Sequence, residues 1–61
     1  MEIEILNYML DNDIIIMAEY DNWEELDNEH CKILIMETLE IAKSNNDTEI
    51  IKKLQKLLTN Y

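Results

Sequence analysis

The stretch Asp47–Tyr61, DTEIIKKLQKLLTNY, decides how the rest of the chain is read. Ile50, Ile51, Leu54, Leu57, Leu58 and Tyr61 recur at the spacing of one helical face. At 100° per residue they fall within about 120° of arc. Lys52, Lys53 and Lys56 take the opposite side. A helix that is apolar on one side only must lie against another element. Asn46 with Glu49 three residues on has the spacing of a capping box, Asn standing for the usual Ser or Thr. The pattern predicts a helix over 47–60.

Upstream, Cys31, Leu34, Ile35, Thr38, Leu39, Ile41 and Ala42 share one wide face of a second helix, and Lys43 falls where a cation suits the negative end of the helix dipole. Asp21 or Asn22 is a suitable cap, with Glu24 or Glu25 in the first turn, so this helix is expected over 22–44. The first twenty residues are less regular. Ile3, Leu6 and Leu10, with Ile5 and Met9 alongside, read as a short helix. Ile14-Ile15-Ile16-Met17 is β-branched, but a lone strand has nothing to pair with, so 13–20 is read as helical.

The chain has no Gly and no Pro. Its breaks are Asp/Asn clusters: Asp11-Asn12-Asp13, Asp21-Asn22 and Ser44-Asn45-Asn46-Asp47. Side-chain oxygens of such residues accept from free N–H groups of a first helical turn, so each cluster reads as a helix start. The expected fold is all-α. It is a small antiparallel bundle of three helices over 2–19, 22–44 and 47–60, or of four short ones if the first breaks near 11–13. Ile3, Leu6, Leu10, Ile14 and Met17 are expected to complete its core.

Sixty-one residues make a single domain, 1–61, too small to gain much from a core alone. One cysteine permits no internal disulfide, and one His beside it at His30-Cys31 cannot supply a structural zinc site. Self-association or binding to a partner is the remaining route, with a homodimer expected ahead of a monomer. No run approaches the ~20 apolar residues of a membrane span. The acidic start is unlike a signal peptide, and methionines with a free thiol fit a reducing cytoplasm.

Charge is divided along the chain. From Met1 to Cys31 stand Glu2, Glu4, Asp11, Asp13, Glu19, Asp21, Glu24, Glu25, Asp27 and Glu29, with no Lys or Arg. All five lysines follow Cys31, and the net charge is -9. Self-repulsion of this size suggests a surface kept for a basic partner, and it argues against direct binding to nucleic acid or to an anionic membrane. On a helix beginning at 22, Asp21, Glu25 and Glu29 stand in a row about 6 Å apart. That is near the phosphate spacing of one DNA strand, so the row reads as a phosphate decoy, or else as a solvated helix start. A calcium loop is excluded, because the alternating Asp pattern and its Gly are missing.

Leu26, Ile33 and Met36 fall away from the main apolar face of this helix. They are either covered by a second side of the bundle or form an exposed strip for a partner. Trp23 either closes the bundle end or anchors an interface. Tyr8, Tyr20 and Tyr61 are read as half-buried. Cys31 is placed in the core with His30 at its margin. The two side chains diverge by about 100° and are surrounded by carboxylates that raise the thiol, a poor arrangement for nucleophilic catalysis.

No glycine loop, arginine clamp or deep concavity points to an enzyme, a cofactor or a metal. The function expected is that of a small acidic inhibitor or modulator covering a basic, nucleic-acid-binding surface on a target protein. Asp21, Trp23, Glu24, Glu25, Glu29, Ile33 and Met36 would make the contact. Antitoxins, anti-repressors and phage-encoded inhibitors share this build of small, acidic and helical. Arginine-free, Ile/Asn/Lys/Glu-rich usage suits an AT-rich mobile element. The rival is a non-catalytic adaptor, acting as a homo-oligomer or complex subunit, whose acidity serves solubility.

Overall fold

The two apolar faces read from the C-terminal half pack on each other. In the computed structural model, which describes all of residues 1–61, α3 spans Asn28–Ser44 and α4 spans Thr48–Leu58. α3 buries Cys31, Leu34, Ile35, Thr38 and Ala42, and α4 buries Ile50 and Leu54. Ile51, Leu57, Leu58 and Tyr61 pack partly buried on the same cluster, as the stripe requires. Thr38 keeps its hydroxyl satisfied inside the core by donating to the Leu34 carbonyl at 2.7 Å.

α1 spans Ile3–Asp11 and contributes Ile5, Leu6 and Met9 to the core. Its direction follows from its ties to α4. Tyr8 meets Asp47 at the start of α4, whereas Glu4 meets Lys53 farther along, so the two helices run antiparallel. Trp23, ahead of α3, meets Tyr61 beyond the end of α4, so that pair is antiparallel too. The bundle is all-α, without strands.

The first helix breaks near 11–13, as in the four-helix alternative, although residues 14–16 are not helical. α1 ends at Asp11, and a separate five-residue α2 spans Met17–Asp21. Asp13 adopts φ 57°, and around it the Ile14 N–H reaches the Met9 carbonyl at 2.9 Å and the Asp13 N–H reaches the Leu10 carbonyl at 3.1 Å. This is a left-handed helix stop. The α3–α4 turn repeats it: Asn46 has φ 57°, Asp47 N–H bonds Ala42 at 3.0 Å and Asn46 N–H bonds Lys43 at 3.2 Å. In a chain without glycine, Asp and Asn are the residues that tolerate this conformation best. Two of the clusters read as helix starts are therefore helix stops. The Asn46–Glu49 capping box does not form, since Asn46 is left-handed and α4 begins without a side-chain cap.

The core assignment for α1 and α2 also changes. Leu6 is buried, and Leu10 and Ile14 pack partly buried, but Ile3 and Met17 are exposed. Ile5, Met9 and Ile15 take the buried places instead. The run Ile14–Met17 holds more apolar residues than one short connection can turn inward, and only Ile15 is fully covered.

Candidate protein-binding surface

The acidic residues singled out from the sequence do not share one helix. Asp21 ends α2, and Trp23–Glu25 form a single 3₁₀ turn. Leu26 and Asp27 are extended, at ψ 144° and 158°. α3 then begins at Asn28, six residues later than expected. Asp27 caps it, its carboxylate accepting the His30 N–H at 2.8 Å. The Leu26 carbonyl, just before this cap, accepts from the Cys31 Sγ–H at 3.8 Å. The even row Asp21–Glu25–Glu29, and the phosphate-like spacing derived from it, is therefore absent. Asp21, Glu24, Glu25 and Glu29 are nevertheless all exposed, on three successive elements of the α2–α3 junction.

Trp23 is not available as a surface anchor. It is 3% exposed, and its indole N–H donates to the Tyr61 hydroxyl at 3.2 Å. The 3₁₀ turn exists to point this ring inward, and Trp23 closes the bundle end. Leu26 likewise leaves the expected strip and packs against the core. Ile33 and Met36 remain, 52% and 50% exposed on the outward face of α3. The reading in which this helix is covered on both sides is set aside by that exposure. Ile16 and Met17 are also exposed, a second apolar step that periodicity alone did not reveal.

Few of the carboxylates are neutralised. Glu24 accepts from the Met1 ammonium at 3.0 Å. Glu2 and Glu4 share Lys53, whose ammonium is held above its ordinary value by the Glu4 hydrogen bond and the nearby Glu2 charge. Glu19 lies 3.0 Å from His30 Nε2 and accepts the Ile16 N–H at 3.0 Å. Those two bonds, His30 first, hold its carboxyl below the usual range. Asp21, Glu25, Asp27 and Glu29 have no cationic partner, nor have Glu37 and Glu40 farther along α3.

Burial raises the Cys31 thiol, and Asp27 and Glu24 add to the shift. The side chain is an inert core residue, as its place on α3 implied. Tyr8 is raised mainly by burial. Its hydroxyl donates to Asp47 at 2.8 Å and accepts from Asn45 Nδ2 at 3.1 Å, which ties α1 to the α3–α4 turn. No three His, Cys, Asp or Glu side chains converge as metal ligands would. An open groove of ≈ 320 Å³ between the start of α1 and the end of α4 is lined by Met1, Glu2, Ile5, Lys53, Lys56, Leu57 and Asn60. No helix is long and apolar enough to cross a membrane.

No family model matches the chain, and neither the curated proteins nor the solved structures contain a match to it.

Proposed function

We propose that this protein is a small, non-catalytic inhibitor or modulator that binds a target protein through its acidic side and covers a basic, nucleic-acid-binding surface there. The supporting observation is the exposed, largely unpaired set Asp21, Glu25, Asp27 and Glu29 at the α2–α3 junction, beside Ile33 and Met36. Carboxylates held on a folded surface can take the place of phosphates for target Lys and Arg, and apolar contacts beside them exclude water and strengthen the pairing. The irregular junction makes this a diffuse anionic surface, in contrast to a regular ladder. Action in the cytoplasm against host machinery, in the manner of an antitoxin or a phage-encoded inhibitor, fits this mechanism.

The exposed pair Ile33 and Met36 favours a second reading, an adaptor or homo-oligomer joined through an apolar seam. Salt and charge separate the two. Tagged protein is incubated with nuclease-treated lysate of its source cell, and bound proteins are washed at low and then moderate salt. Occlusion predicts a basic nucleic-acid-binding protein that is released at the higher salt and lost when Glu25 and Glu29 are reversed to Lys. A captured set unchanged by both treatments overturns the occlusion reading in favour of the adaptor.

A further inference from the structure

The outward face of α3 has a pattern of its own. At 100° per residue, Glu29, Ile33, Met36 and Glu40 lie within about 60° of arc, opposite the buried Cys31, Leu34, Ile35, Thr38 and Ala42. Ile33 and Met36 are spaced as adjacent seam positions of a helix pair, and Glu29 and Glu40 occupy the seam positions before and after them. All four are exposed, and neither glutamate has a cationic partner. The strip is an apolar centre closed at both ends by free carboxylates, spanning about 16 Å.

That arrangement selects its occupant. A second copy packed in parallel would set Glu29 on Glu29 and Glu40 on Glu40. A second copy packed antiparallel, with the apolar pairs in register, would set Glu29 on Glu40. Either way like charges meet at the seam, between two chains that each carry -9. A helix with apolar residues at its centre and Lys or Arg one seam position to either side meets the strip without conflict.

We propose that the outward face of α3 is a docking face for a basic amphipathic helix of the target protein, seated on Ile33 and Met36 and flanked by Glu29 and Glu40. This rests on the acidic-inhibitor reading and names the element of the target that is covered.

The test uses a synthetic Leu/Lys amphipathic peptide of about fourteen residues, long enough to cover the strip, titrated into isotopically labelled protein. The same peptide with Glu for Lys is the control. Backbone amide shifts should concentrate along Glu29–Lys43, with no response to the Glu peptide. The double variant Ile33→Ser/Met36→Ser, at exposed positions that leave the core intact, should weaken binding at least tenfold. Glu29→Gln/Glu40→Gln should weaken it several-fold, and Asp11→Asn/Glu49→Gln, at exposed positions on α1 and α4, should change it less than twofold. Shifts centred on Asp21–Glu25 that ignore the Ile33/Met36 variant overturn the docking face while leaving acidic occlusion standing. Absence of binding by the Lys peptide overturns the docking face as well, and the lysate experiment then judges occlusion separately. Self-association abolished by Ile33→Ser/Met36→Ser would make a second copy the occupant and also overturn the proposal.

Discussion

The α3–α4 hairpin and the arm from Asn12 to Asp27 are held by different forces. The hairpin buries Cys31, Leu34, Ile35, Thr38, Ala42, Ile50 and Leu54, whereas the arm buries only Ile15 and Trp23, and α2 buries nothing. Beyond these two side chains and the partly buried Ile14, Tyr20 and Leu26, the arm's further ties are polar: Glu19 to His30, Glu24 to the Met1 ammonium, and the Trp23 indole to Tyr61. Apolar burial contributes about 25 cal/mol per Å², while exposed ion pairs contribute little. The arm is therefore the part expected to open first. Most of its acids also sit where packing restrains them least.

The largest test of this contrast is truncation. Leu54 is 0% exposed at the centre of the hairpin, and Leu54→Ala should cost about 2–5 kcal/mol. That is a large fraction of what a domain of this size possesses. Ile16, 66% exposed in the arm, should lose no more than about 0.5 kcal/mol on change to Ala. Urea unfolding followed by helical circular dichroism measures both. Equal losses would show that the arm shares the stability of the hairpin and would remove the contrast.

The two left-handed stops allow a finer comparison, because the same motif ends α1 and α3. Asn46→Ala puts a Cβ without a compensating side-chain amide at φ 57° and should cost about 1 kcal/mol. Asn46→Gly should be neutral or mildly stabilising. Asp13→Gly should gain more, up to about 1 kcal/mol, since it also removes a negative charge from the negative end of the α1 dipole. Thermal melts of the three variants rank them. A loss on Asp13→Gly would mean that its carboxylate supports the arm in a way the hairpin does not need.

The same division governs what was legible in the sequence. The faces of α3 and α4 were readable because each repeats its apolar spacing over three turns or more and lies on the other. The start of α3 was not. Asp21, Asn22 and Asp27 are equally good caps in isolation, and only the demand that Trp23 be buried chooses the last. The Asp/Asn clusters were misread for a related reason. Without glycine in the chain, Asp13 and Asn46 take the left-handed positions glycine would fill, so residues expected to start helices end them. Of the proposed contact residues, Ile33 and Met36 proved exposed because they lie opposite a face already committed to the core. Trp23 is buried instead, because its ring plugs the bundle end for an arm with little else to bury.

The smallest expected effect is a titration confined to the arm. Bonds from His30 and from the Ile16 N–H hold Glu19 below its ordinary pKa in the folded state. The stabilisation they give is complete above the unfolded carboxylate value, about 4.3, and is lost as pH falls through the lowered folded value. Amide protection at Tyr20, Asp21 and Asn22, corrected for intrinsic exchange, should therefore drop in that acid window, while Leu54 in α4 keeps its protection. Glu19→Gln cannot titrate, so its arm should show no such step. If Leu54 loses protection together with Tyr20, arm and hairpin open as one unit. If the step persists in Glu19→Gln, another carboxylate fastens the arm. Only a step that is local and dependent on Glu19 places the weakest link of this small bundle in the arm.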